Sequence, residues 1–143
     1  MKSYKKVVLA LALNQDIDAP IISKALDVVE TSNAELLLVH AIESVSDFGM
    51  AYGVNAIVNV DDILYEQATK ILSKVAEELN VPADRVFLLP GPAKQVILDH
   101  AKDCDADLII LGSHGHRGVR LLLGSTSNAV LHHAHCDVLA VRL

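Results

Sequence analysis

Leu108-Ile109-Ile110-Leu111-Gly112-Ser113-His114-Gly115-His116-Arg117-Gly118 is the stretch that decides how this chain is read. Four consecutive apolar residues stop at a glycine and give way to a glycine-rich loop. A short unbroken apolar run bounded by turn residues is the pattern of a strand buried on both faces, as in parallel sheets. The loop is neither a Walker A sequence nor GxGxxG, because the Lys-Ser/Thr pair and the glycine spacing are both absent. Its place between a strand and a helix still favours an anion. Glycines let the backbone approach a ligand closely, and N–H groups ahead of the helix are free to bind it. Ser125 and Thr126, after Gly124, add hydroxyl donors to the same end. A tight strand-to-helix connection that needs three glycines explains the same residues, so the loop alone does not decide for binding.

Similar apolar runs recur outward from this one. Val7 to Leu13, Leu36 to Ala41, Val86 to Leu89 and Val138 to Val141 read as four more buried strands. Between them lie stretches of helical period. Ala19 to Thr31 carries Ile21, Ile22, Ala25, Leu26 and Val29, with Asp18 as the expected cap and Pro20 in the first turn. Glu43 to Asn59 shows no clean period and reads as a long connection. Asp61 to Leu79 carries Ile63, Leu64, Ala68, Ile71, Leu72, Val75 and Leu79 on one face. Pro92 opens a helix with Val96, Ile97 and Ala101, and a last helix is expected near Ser127 to Ala134. Five strands alternating with four helices require parallel crossovers, hence an α/β, three-layer sandwich. Right-handed crossovers with one reversal give a five-stranded parallel sheet of order 3-2-1-4-5. Ligands then bind beyond the strands' carboxyl ends between strands one and four, at Ala12 to Asn14 and from Gly112 onward.

Composition narrows the function classes. The 143 residues suit a single domain, 1–143. Hydrophobic residues at 52% and charged residues at 21% exclude disorder. Aromatics at 3% and no Trp argue against an aromatic platform for single-stranded nucleic acid. A net charge of −6 argues against any polyanion held by bulk charge, so no nucleic-acid partner is expected. A small phosphate ligand held by local N–H groups stays compatible with that charge. Cys104 and Cys136 form no CxxC or framework, which suits a reducing compartment. Val7 to Leu13 is too short for a membrane span, and no signal-peptide cleavage site follows it, so a cytoplasmic protein without a membrane partner is expected.

Gly112-x-x-Gly115 followed by Gly124-Ser125, on the fourth strand-to-helix connection, resembles the universal stress protein (UspA) family. The likeness runs through the whole chain. Tyr4-Lys5-Lys6-Val7-Val8 resembles the family's opening strand, Leu38-Val39-His40-Ala41 its second, and Gly91-Pro92-Ala93 its third-strand exit. Leu123 to Ser127 and Cys136 to Val141 resemble its C-terminal stretch. The resemblance implies a Rossmann-like fold, a homodimer and a role in stress survival. One branch of the family binds ATP in the glycine loop; another, with the founding bacterial member, lacks the binding pattern. By that likeness Leu111, Gly112, Gly115, Gly124, Ser125 and Thr126 line the triphosphate and sugar, and Ala41 lies near the adenine. ATP is the implied ligand, with Mg²⁺ only in its company.

Two departures from the family pattern stand out. The ATP-binding form is G-x2-G-x9-G-[S/T], and here eight residues separate Gly115 from Gly124. The family's acidic residue at the end of strand one falls on Ala12. Losing one charge-assisted hydrogen bond costs ~1.5–3 kcal/mol, a weakening of roughly ten- to a hundredfold. Asn14 and Asp16 are the polar residues near enough in sequence to reach in instead. The leading expectation is a small stress-response module with a weak adenine-nucleotide site, and no enzyme. The alternative is a dimeric interaction protein of the same fold whose nucleotide site is vestigial and empty.

Other constellations carry less. His114, His116, His132, His133 and His135 with Cys136 invite a metal, but no acidic residues back them. They read as loop and helix-end histidines. Ser113 beside His114 lacks an acid to orient the imidazole, and Cys104 sits between Asp103 and Asp105, which raises a thiol pKa. Arg117 and Arg120 read equally as phosphate neighbours or solvated loop charges. The last strand is apolar throughout and lies at the sheet edge in the expected order, so a homodimer paired through this C-terminal strand is expected, Leu139 and Val141 meeting their mates.

Overall fold

A computed structural model of the chain describes residues 3–43, 54–113 and 124–143, with the backbone alone for 54–59. The apolar runs form strands β1 Lys6–Ala10, β2 Glu35–Ile42, β3 Val86–Pro90, β4 Leu108–Ser113 and β5 Asp137–Arg142. All neighbours pair in parallel, in the order β3-β2-β1-β4-β5. The helices are α1 Gln15–Ser32, α2 Val54–Glu78, α3 Ala93–Asp103 and α4 Ser125–His133.

Period-two alternation divides the core into two layers. Val7, Leu9, Leu36, Leu38, Leu108 and Ile110 pack with Ile21 and Ala25 of α1 and Leu72 and Ala76 of α2. Val8, Leu37, Val39, Ile109 and Leu111 face the other way, against Val96, Ile97 and Ala101 of α3 and Val130 of α4. The expected three-layer sandwich and strand order are what the structure has.

Several element ends differ from the expectation, each for a local reason. Helix α1 starts at Gln15 rather than Ala19, because Asn14 and not Asp18 is its cap: Asn14 Oδ1 accepts the N–H groups of Asp16 at 3.0 Å and Ile17 at 3.3 Å. Pro20 therefore falls inside the helix, where it denies the Asp16 carbonyl its usual partner. Strand β1 ends at Ala10 rather than Leu13, and Leu13 turns the chain with a φ of 60°. Helix α2 begins at Val54, not Asp61, since no Gly or Pro interrupts Val54 to Val60. Of the expected connection Glu43 to Asn59, residues 44–53 lie outside the described residues. Helix α4 opens at Ser125, two residues early, with Gly124 at its N-cap.

One buried titratable group sits between layers. His100 of α3 is 8% exposed and tilts against Phe87 of β3, ring centroids 4.2 Å apart. Its Nε2 has no hydrogen-bond partner. Burial pushes its pKa below the ordinary 6.5, with Asp103 opposing. The native state thus favours the neutral ring, and the unfolded chain binds the proton more readily. Stability is full above 6.5 and falls as the pH drops through that value towards the lowered native pKa. Denaturant midpoints of the wild type are expected to fall from about pH 7.5 to about pH 5, and His100→Leu to remove most of that fall. An equal fall in both proteins would place the titrating group elsewhere.

Candidate functional site

The chain winds from β1 through β2 to β3 on one side, then returns to build β4 and β5 on the other. The winding reverses between β1 and β4, which opens a crevice above their carboxyl ends. A cavity of about 360 Å³ opens there. Its floor is Ala10, Leu11 and Ala12 from β1 and the turn after it. Val39, His40 and Ala41 line it from β2 and Glu43 from just beyond it, Leu111 and Gly112 from β4, Ile17 and Ile21 from α1, Ala93 and Ile97 from α3, and Thr126 from α4. The volume falls within the range of small-molecule sites, roughly 300–1,000 Å³. A larger groove of about 640 Å³ lies between α2 and the edge strand β3, away from this crevice. Size favours that groove. The switch point favours the smaller cavity, which also gathers backbone and side chains from six elements, so we take the smaller one as the site.

Of the expected site residues, Ala41, Leu111, Gly112 and Thr126 meet around this cavity. Gly124 and Ser125 stand beside Thr126, as the N-cap and first residue of α4, and are not part of the lining. Gly115 lies outside the described residues, as do His114, His116, Arg117 and Arg120. Gly124 offers no side-chain cap, so the first N–H groups of α4 have no side-chain acceptor from their cap. Ser127, 1% exposed, donates its hydroxyl to the Gly124 carbonyl at 3.0 Å and fixes this helix start. The helix dipole makes this end electropositive, opposite the apolar floor.

Among the described residues three polar side chains line the cavity: His40, Glu43 and Thr126. The first two were missed in the sequence reading, although a histidine at the end of an apolar strand was a signal. His40 Nδ1 lies 2.7 Å from the Leu11 carbonyl. Glu43 Oε1 accepts the Ala93 N–H at 3.3 Å and so caps α3 from the β2 exit. The two candidates for replacing the acid at position 12 do not do so: Asn14 holds the N-terminus of α1, and Asp16 is exposed on its first turn. A carboxylate does reach Ala12, but at its backbone. Asp18 Oδ1 accepts the Ala12 N–H at 2.9 Å. Asp18 is buried, and burial pushes its pKa up against the N–H groups of Ala12, Leu13 and Asn14 and the nearby His40, which pull it down.

Ser113 and Cys104 are both engaged within the fold. Ser113 donates its hydroxyl to the Val141 carbonyl at 3.2 Å, a bond within the sheet. Burial raises the Cys104 thiol pKa, opposed by the Ala106 N–H and Lys6, with Asp105 adding least to the rise. Among the described residues no group of three or more His, Cys, Asp or Glu side chains is placed to hold a metal. Among them, too, no helix is long and apolar enough to cross a membrane.

A parallel sheet of order 3-2-1-4-5 with a cavity at its switch point is a doubly wound α/β fold, which places ligands at this crevice. The comparison with known families is narrower. The universal stress protein family model matches residues 3–142, and the chain belongs to that family. Universal stress protein A homolog 2 of Coxiella burnetii is 51% identical over 143 residues, covering 100% of this chain and 98% of the relative. Among solved structures, the universal stress protein UspA from Lactobacillus plantarum has the same fold, with a TM-score of 0.76 at 22% identity over 99% of this chain and 100% of its own. A universal stress protein in complex with cAMP gives a TM-score of 0.69 at 20% identity, covering 99% and 98%.

The capping role of Asn14 is open to a direct check. Asn14→Ala is expected to cost roughly 1 kcal/mol in urea denaturation, and Asn14→Asp close to nothing. Equal losses from both would show that the cap contributes little.

Proposed function

We propose that this chain is one universal stress protein domain spanning residues 1–143, a cytoplasmic binding and signalling module that holds an adenine nucleotide weakly in the switch-point cavity and does not turn it over. The observation that carries the reading is the meeting of Ala41, Leu111, Gly112 and Thr126 around one cavity, beside the N-terminus of α4. The apolar floor suits a base or sugar face, and the electropositive helix end suits phosphates. Mg²⁺ would come with ATP, held by phosphate oxygens. The complex of a family member with cAMP supports an adenine nucleotide as the ligand class, and makes cAMP the second ligand to try. Low affinity follows from Ala12, whose side chain offers no hydrogen bond where a carboxylate would fix the ligand.

Calorimetric titration with ATP and Mg²⁺, and separately with cAMP, tests this. A dissociation constant on the order of micromolar or weaker is expected. Thr126→Val, which keeps the shape and removes the hydroxyl, is expected to weaken binding roughly two- to tenfold. No heat with either ligand at millimolar concentration would give the field to the alternative, an interaction protein with an empty site.

We also propose a homodimer through β5. Among the described strands β5 is a sheet edge, so no described strand pairs with its outer side. Its side chains are already committed to the layers: Val141 is buried and Leu139 half-buried on the α1 side, while Val138 and Ala140 pack on the other. The edge therefore offers backbone pairing about a two-fold axis, with half-buried Leu139 beside it. Light scattering at tens of micromolar is expected to give about twice 15.4 kDa. Leu139→Lys, with an intact fold checked by circular dichroism, should shift the species towards monomer. A wild-type monomer would overturn the pairing.

A further inference from the structure

The two contacts at the end of β1 belong to one peptide unit. The Leu11 carbonyl faces His40 Nδ1 at 2.7 Å, and the N–H of that same peptide, on Ala12, donates to Asp18 Oδ1 at 2.9 Å. A carbonyl only accepts, so the proton of this contact belongs to His40 Nδ1. The preceding N–H, on Leu11, donates to the Val39 carbonyl at 2.9 Å and continues the ladder to β2. Leu13 then takes a φ of 60°, a conformation non-glycine residues seldom adopt. The chain thus leaves the sheet through a sharp, unfavourable turn whose first peptide plane is fixed on both sides. That peptide is also part of the cavity floor, with Leu11 and Ala12 both in the lining and His40 in the wall. Asp18 is 4% exposed and is not in the lining, so it acts on the cavity through the backbone it holds.

We propose that Asp18 and His40 are a pair of positioning residues for the switch-point cavity, gripping the Leu11–Ala12 peptide from opposite sides so that the floor is set before a ligand arrives. The proposal rests on the nucleotide reading above for what the cavity holds, but the grip itself is a property of the free protein. A carboxylate buried beneath an apolar floor is costly unless its oxygens are satisfied, and here backbone donors satisfy it. The rotation of a peptide plane at this point would swing Ala12 relative to Ala41 and Gly112 across the cavity. Fixing it removes that freedom from the unbound state, which lowers the ordering cost of binding.

The test uses the whole protein, labelled with ¹⁵N, as wild type, Asp18→Ala, Asp18→Asn and His40→Phe. In the free proteins the Ala12 amide is expected to exchange at least about tenfold faster in Asp18→Ala, and the Ala41 and Gly112 resonances to shift. Asp18→Asn keeps an acceptor oxygen and should restore both features. ATP affinity, measured well below each melting temperature, is expected to fall about tenfold in Asp18→Ala and to return to within about threefold in Asp18→Asn. A merely structural role would lower the melting temperature and leave the affinity and the Ala41 and Gly112 resonances unmoved, and that result overturns the proposal. Should Asp18→Ala fail to fold, His40→Phe reads the other half of the grip by the same signals, with the same outcomes. If the wild type binds no ATP, the nucleotide reading fails by itself. The resonances of the free variants then decide the positioning role, standing if Ala41 and Gly112 move and overturned if they do not.

Discussion

Everything in this molecule depends on β1 being buried on both faces. Val7, Val8 and Leu9 are each 0% exposed. A strand in that position needs helices above and below it, and parallel neighbours on both sides supply the only connections that leave helices there. Leu9, for example, lies between Leu38 of β2 and Ile110 of β4 in the sheet register. Truncating one such side chain to alanine costs about 2–5 kcal/mol, a large share of a small domain's stability. The reversal of winding beside β1, and so the cavity, is a by-product of burying this strand.

That constraint is why the architecture was legible in the sequence. Unbroken apolar runs such as Leu36 to Val39 and Leu108 to Leu111 have one stable home, and the strand order followed from their alternation with helices. Ends of elements were less legible, because they depend on single hydrogen bonds. Asn14 and Asp18 are both good caps by residue type, and only the fold decides that Asn14 holds the helix while Asp18 turns inward. The start of α2 was lost for a different reason: Val54, Ile57 and Val58 do fall at helical spacing, but they follow directly on the Gly-containing stretch from Glu43 that has no clean period.

The candidate site was half legible. Ala41, Leu111, Gly112 and Thr126 come from three separate elements, and their gathering at one cavity follows from the topology. His40, Glu43 and Asp18 were not foreseen, because their roles are relations between elements. His40 reaches from β2 to the exit of β1, Glu43 from just beyond β2 to α3, and Asp18 from α1 back to Ala12. Residue type announces that a side chain can make such a bond, but not to which neighbour. The acid absent from the side chain of position 12 is matched by one held against its backbone, which neither spacing nor composition could have indicated.

Helix α2 is longer than the sheet beside it. Its 25 residues extend about 37 Å, whereas the five residues of β3 cover about 17 Å. The helix follows the carboxyl end of β2 and leads to the start of β3, so it runs against the strands and its surplus length stands at the cavity end. Ala68, Leu72 and Ala76 are buried, and from Val60 to Gln67 no side chain is. The stretch from Val60 to Gln67 therefore adds little to the core, while Ala68, Leu72 and Ala76 tie the helix to the sheet. Opening the backbone is expected to cost more beyond Ala68 than before it, because only there must the core open too. The step in protection from exchange then falls inside a helix and not at a loop.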